Sequence, residues 1–149
     1  LGLFYYTEDS EQVIRDWFAG GFFAGTPASH FLESESIAAY VQFNYRFADR
    51  WTLVAGGRYN NDDQKFDGSK GNALGVPTTF ANDRSFSRFT GKLGVEFQLA
   101  PNVFTYATFS QGYKAGTFDP FAGAELIGRG LDEETVDSFE VGAKTELLD

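Results

Sequence analysis

The chain has 149 residues, enough for one domain with a sizeable core, and carries a net charge of -9 with a pI near 4.5. It contains no cysteine, which excludes disulfides, thiolate metal sites and cysteine nucleophiles. The negative charge argues against a nucleic-acid backbone as partner.

Phe and Gly number 17 each, and aromatics make up 17% of the chain. Phe and Tyr favour pleated surfaces and Gly marks turns and bends, so the composition predicts an all-β protein. Methionine is absent even at position 1, and no basic segment precedes an apolar one, so the chain is expected to be a mature product or an excised segment.

A first strand is expected in "LGLFYYT" at Leu1–Thr7. The uncharged stretch from Trp17 to Leu32 falls short of the roughly 20 apolar residues of a membrane helix and contains Gly, Pro and His. That leaves open a membrane crossed by a closed β-barrel. In "SIAAYVQFNYRF" one face carries Ile37, Ala39, Val41, Phe43, Tyr45 and Phe47, and the other carries Ser36, Ala38, Tyr40, Gln42, Asn44 and Arg46. Period two over this length predicts a strand with one apolar and one polar face. After a short turn at Ala48–Arg50, Trp51, Leu53, Ala55, Gly57 and Tyr59 continue the apolar face, opposite Thr52, Val54, Gly56, Arg58 and Asn60.

The pattern returns in "RFTGKLGVEFQL", with Phe89, Leu93, Val95, Phe97 and Leu99 apolar and Arg88, Lys92, Glu96 and Gln98 polar. "APN" turns the chain at Ala100–Asn102, where Pro101 suits the second position of a tight turn. In "FTYATFSQGYKAG", Thr105, Ala107, Phe109 and Tyr113 are placed outward and Tyr106, Thr108, Ser110 and Lys114 inward. A last strand covers about Val136 to Leu147, with Phe139, Val141, Ala143, Thr145 and Leu147 on one face. Glu8–Glu33, Asp67–Arg84 and Thr117–Glu134 read as long loops. Short and long connections alternate, which predicts an antiparallel up-and-down meander with all short turns at one end.

A soluble sandwich would also alternate, with its apolar face turned inward. Three features favour a partial transmembrane β-barrel of about six strands. Twelve residues at about 3.3 Å each, tilted near 45°, rise roughly 28 Å, close to a bilayer's hydrocarbon core. The charged faces suit a hydrated lumen. Phe47, Trp51, Phe97 and Phe104 flank the short turns as an interfacial girdle would.

Two stretches resemble the barrel of TonB-dependent outer-membrane receptors. They are "PNVFTYATFSQGYKAGTFDP" and "LDEETVDSFEVGAKTELLD". The positions that carry the resemblance are Asn102, Tyr106, Ala107, Thr108, Phe109, Ser110, Gly112, Tyr113 and Lys114, with Gly116 just beyond. Glu134, Thr135, Val136, Ser138, Phe139, Glu140, Gly142 and Lys144 complete it. Thr108 stands where Ser is more usual. The resemblance implies that residues 1–149 are a segment of a barrel of about 22 strands, with the plug domain and the remaining strands absent. It implies energy-coupled uptake of a scarce nutrient, most often an iron–siderophore complex, in the outer membrane of a Gram-negative bacterium. The implied partners are outer-membrane lipid and lipopolysaccharide, TonB through the missing plug, and a metal chelate or other small molecule. The implied protein is no enzyme and needs no cofactor. A small structural or adhesion barrel and a soluble sandwich binding module are the alternatives.

Site residues follow from charge and position. Arg58, Arg84, Arg88 and Lys114 are the expected ligand-attracting cations, because metal chelates are often anionic. Lining a wet lumen, or binding lipopolysaccharide phosphates, is the plainer role for them. Glu140 and Lys144 lie about 13 Å apart on one strand, so each is expected to find a partner on a neighbouring strand. Gly112 and Gly116 have GxxxG spacing, which belongs to membrane helices. Neither "GYKAGT" nor "GSKGNALG" fits a phosphate loop. His30, the only histidine, lies in an expected loop far in sequence from any convincing serine nucleophile, so no hydrolase triad is assigned, and the run Asp132–Glu134 is expected to be a solvated loop end. Asn60–Asp63 lacks EF-hand spacing, so no metal site is assigned.

Overall fold

A computed structural model describes residues 1–14, 28–71, 76–119 and 130–146. These form six strands: β1 (Gly2–Ile14), β2 (Ala28–Ala48), β3 (Trp51–Gly71), β4 (Pro77–Ala100), β5 (Val103–Lys114) and β6 (Glu134–Thr145). They make one antiparallel sheet in sequence order, the expected meander, with β1 and β6 as open edges. Leu147 and residues 17–27 of the uncharged stretch lie outside the described residues.

Register fixes the two faces. Tyr5 pairs with Ile37, Ala39 with Tyr59, Tyr59 with Phe89, Leu93 with Phe109 and Phe109 with Phe139. Odd-numbered residues therefore meet odd-numbered residues throughout, except in the last pair beside each short turn, where the register shifts. Side chains alternate along a strand, so odd numbers share one face of the sheet and even numbers the other.

The odd face is apolar and uncovered. Phe43 is 66% exposed, Phe139 80% and Val141 84%. A contiguous apolar surface of this extent is rare on a soluble monomer. The even face holds the buried residues Ala38, Val54, Asn60, Phe66 and Phe86.

The two short turns lie at one rim. Asp49–Arg50 and Pro101–Asn102 are the turn residues, and the Gln98 side-chain amide donates to the carbonyls of Ala100 at 2.7 Å and Val103 at 3.3 Å. Trp51 stacks between Phe47 at 6.3 Å and Phe97 at 4.3 Å on the odd face, as the girdle reading expects. Phe104 does not join them. It sits on the even face beside Tyr106, ring centroids 6.1 Å apart, because the register pairs it with Gln98 and Lys144.

Two of the expected loops are strand along much of their described length. β1 runs to Ile14 and β2 begins at Ala28; β3 runs to Gly71 and β4 begins at Pro77. β2, β3 and β4, with 21 to 24 residues each, are far longer than an apolar belt requires. The belt on β2, Ile37 to Phe47, rises roughly 26 Å at a 45° tilt, close to the apolar band of a membrane barrel. Beyond it the amphipathy inverts. The odd face becomes polar, with an ion pair between Lys65 and Glu33 at 3.5 Å, Ser87 donating to Asn61 at 2.7 Å, and Ser85 donating to Asp63. The even face becomes aromatic, with Phe66, Phe80 and Phe86. An apolar outer surface is favourable only inside the belt; past it, apolar side chains gain by turning inward.

Candidate functional site

The even face carries the chemistry, and one unit on it explains the paired motif. The Tyr106 hydroxyl donates to Glu140 Oε1 at 2.6 Å, and Lys144 Nζ lies 5.7 Å from the centre of the same ring. Glu140 and Lys144 thus share Tyr106 as their partner on the neighbouring strand. Gly142 is the residue paired with Tyr106. A Cβ at Gly142 would lie 2.5 Å from the ring's hydroxyl end, so only glycine lets the tyrosine lie flat between the acid and the base.

Above this unit the last hairpin leaves its neighbour. β4 and β5 pair only as far as Lys92 and Ser110, whereas β5 and β6 pair on to Lys114 and Glu134, followed by a bridge between Thr117 and Leu131. The freed hairpin leans over the even face of β3 and β4. Tyr113 has an odd number and was expected to point outward. Its hydroxyl faces Asp62 and Arg88 because the hairpin leans over the even side of β3 and β4 and carries Tyr113 against them. Burial, then the Asp62 carboxylate, push its pKa up to about 12.

The arginines hold this hairpin in place. Arg84 donates from Nη2 to Asp132 Oδ1 at 2.8 Å and from Nη1 to the Leu131 carbonyl at 2.9 Å, and its guanidinium lies 4.8 Å over Phe86. Arg88 pairs with Glu133. Gly130 makes the approach possible. Its φ is 62°, in the left-handed region, and a Cβ there would meet the Arg84 side chain at 2.7 Å. An open cavity of about 470 Å³ lies between Arg84, Phe86, Asp132 and Glu133. Arg88 Nε and Gln64 Oε1 are closed off from solvent and make no hydrogen bond; the Tyr113 hydroxyl and Asp62 Oδ2 face each other without reaching hydrogen-bond geometry.

Further from the turns the even face closes on rings. Phe118 is 3% exposed and stacks on Phe66 at 5.1 Å, and His30 lies 5.6 Å from Phe66 and 5.7 Å from Phe80. Burial, and then Lys70, lower the His30 pKa.

The expected cations therefore divide. Arg84 and Arg88 meet at the rim. Arg58 lies lower, donating to Asn60 Oδ1 at 2.6 Å with its guanidinium 5.2 Å over Phe4, beside a groove of about 290 Å³ shared with Gln42, Thr90, Lys92 and Ser110. Lys114 is exposed, paired in register with Glu134, on the opposite side of the hairpin from Tyr113. Gly112 faces Val136 of β6, and Gly116 is buried against the Phe86 ring. Sequence reasoning did not find Asp62 or Phe118 as members of the site, nor Asp132 and Glu133 as arginine partners. The one available signal was an acidic run at the end of a loop that follows two arginines on a preceding strand. Among the described residues no three His, Cys, Asp or Glu side chains could hold a metal ion. Alternation alone separates Asp62 from Asn61 and Asp63, which lie on the other face.

The family model for TonB dependent receptor-like β-barrels matches residues 1–149. The metal-pseudopaline receptor CntO of Pseudomonas aeruginosa is 26% identical over 117 residues, 78% of this chain and 16% of its own length. The pesticin receptor of Yersinia enterocolitica is 24% identical over 119 residues, 80% of this chain and 18% of its own. The crystal structure of the ferric yersiniabactin uptake receptor FyuA from Yersinia pestis superposes on 99% of the chain with a TM-score of 0.83 at 19% identity, and the match spans 23% of that structure. The chain thus covers between a sixth and a quarter of the proteins it resembles. With the family matched from end to end and the fold shared with a solved member, the chain belongs to the TonB-dependent receptor β-barrel family.

Proposed function

We propose that this chain is a wall segment of a larger outer-membrane receptor in a Gram-negative bacterium, one that imports a metal chelate of the siderophore type. The reading rests on one observation above all. A sheet whose odd face is apolar over the depth of a bilayer and whose even face is polar suits lipid on one side and a wet channel on the other. The names of the relatives supply the class of cargo: metal-pseudopaline and ferric yersiniabactin are what two of those receptors take up or bind.

In this reading the segment supplies wall and mouth. The odd face lies against acyl chains, and the odd-face polar strip beyond the belt lies at the level of lipopolysaccharide. The even face lines the channel, and the long strands raise the arginine rim above the membrane to where cargo arrives. The plug and the contact with TonB belong to parts of the receptor outside this chain. No bond of the cargo is broken at this wall; its residues attract, hold and release. Deletion of the full gene, followed by growth on single defined metal chelates, tests the reading. Loss of growth on one chelate, restored by the gene, is the expected result. Unchanged growth and uptake on every chelate tried would remove the transport assignment.

A further inference from the structure

We propose that Arg84 and Arg88 form an anion-binding site held shut by Asp132 and Glu133, which a carboxylate-bearing ligand opens by taking the place of these two side chains. The inference rests on the uptake reading above and adds to it a ligand chemistry and a moving part.

Charge carries the first step. At the rim two guanidiniums face three carboxylates, those of Asp62, Asp132 and Glu133. An arriving anion meets a net negative surface while the hairpin is down. It finds two arginines only when Asp132 and Glu133 have left. Planar guanidinium forks suit carboxylates, whether they come from the hairpin or from a ligand, so the exchange keeps the chemistry of the contact.

Exposure sets the order of the exchange. The Asp132 side chain is 91% exposed and Arg84's is 29% exposed, so Asp132 swings into water with little resistance. Glu133 is 26% exposed and follows. Exposed ion pairs are weak and readily exchanged. Arg88 Nε is already without a hydrogen bond, which gives an incoming oxygen a donor that Glu133 leaves unused. The cavity beside Arg84, Asp132 and Glu133, about 470 Å³, has room for a small polycarboxylate.

Release of both pairs, with the Arg84 bond to the Leu131 carbonyl lost as Arg84 turns to the ligand, frees the hairpin at its polar contacts. Phe118 on Phe66 and Gly116 against Phe86 remain, and both contacts are apolar and indifferent to anions. The hairpin then pivots on its aromatic end instead of detaching, and Gly130, beside Arg84, is the place to bend.

The test uses the full-length receptor in lipid vesicles with citrate as the probe. Spin labels go on Leu131→Cys and Asp83→Cys, and this segment contributes no cysteine of its own. Citrate is expected to lengthen the distance between the labels, while chloride at equal ionic strength leaves it short. The D132N/E133Q variant is expected to show the long distance without citrate and to bind citrate about tenfold more tightly. The R84Q/R88Q variant is expected to be open and to bind none. A distance that stays short in citrate, or equal citrate binding by D132N/E133Q and the parent, overturns the proposal. Chelate uptake is measured on the same variants. Uptake with an unresponsive hairpin removes the anion exchange alone, whereas a responsive hairpin on a protein that imports nothing removes the transport reading alone.

Discussion

Replacing Gly142 with alanine tests the motif unit at its tightest point. The new Cβ would lie 2.5 Å from the Tyr106 hydroxyl oxygen and Cζ, closer than real Cβ contacts come. The ring is the flexible partner, so it swings aside and loses its 2.6 Å hydrogen bond to Glu140 and its place under Lys144. A hydrogen bond to a charged acceptor contributes roughly 1–2 kcal/mol at such an exposed position, and the cation–π contact roughly 0.5–1 kcal/mol. Alanine returns roughly 0.5–1 kcal/mol because glycine is a poor strand residue. The net cost of Gly142→Ala is therefore about 1–2 kcal/mol, read as a lower urea midpoint for the receptor in detergent. The decisive comparison is the same substitution on a Tyr106→Ala background. With no ring to displace, Gly142→Ala is expected to be neutral or to stabilise by up to about 1 kcal/mol, giving a coupling of roughly 2 kcal/mol. An equal cost on both backgrounds would refute the reasoning, because the loss would then have nothing to do with the ring.

Two further substitutions probe the wall and the rim. Phe43→Arg, at an odd position in the middle of the β2 belt, is expected to cost roughly 3–5 kcal/mol for the receptor refolded in vesicles, against less than about 1 kcal/mol for Gln42→Arg next to it; similar costs for the two would contradict the assignment of faces. Tyr113 titrates at about 12 in the folded protein against about 10 when unfolded, so its contribution is complete below pH 10 and is lost as pH rises toward 12. Unfolding measured across that window should show a loss of about 2 kcal/mol that Tyr113→Phe removes.

Much of the fold was legible in the sequence for a plain reason. Inside the belt, Ile37 to Phe47 and their partners on β3 and β4 must be apolar on one side and polar on the other, and period two records that directly. Past the belt the contrast changes sign. Asn61, Asp63 and Lys65 alternate with Asp62, Gln64 and Phe66, and a reader tracking a continuing apolar odd face sees a loop. The same region hid the rim. That Tyr113 faces Asp62 depends on β5 parting from β4 after Ser110, and that Asp132 and Glu133 reach Arg84 and Arg88 depends on the hairpin then leaning inward. Neither event has a local sequence signal beyond Gly116 and Gly130. The motif unit was half legible. The need of Glu140 and Lys144 for a partner on the next strand followed from their separation, but that both would share Tyr106, and that Gly142 makes this possible, required the register.

The central claim is that within the apolar belt odd-numbered side chains face lipid and even-numbered ones face water. A nitroxide scan of residues 52–59 in the full-length receptor in vesicles measures this directly, with collisions recorded for oxygen, which partitions into the bilayer, and for a water-soluble nickel chelate. The account predicts strict alternation, with oxygen favoured at Leu53, Ala55, Gly57 and Tyr59 and the nickel chelate at Thr52, Val54, Gly56 and Arg58. Equal access of the nickel chelate to both sets would contradict it, because both faces of the sheet would then stand in water.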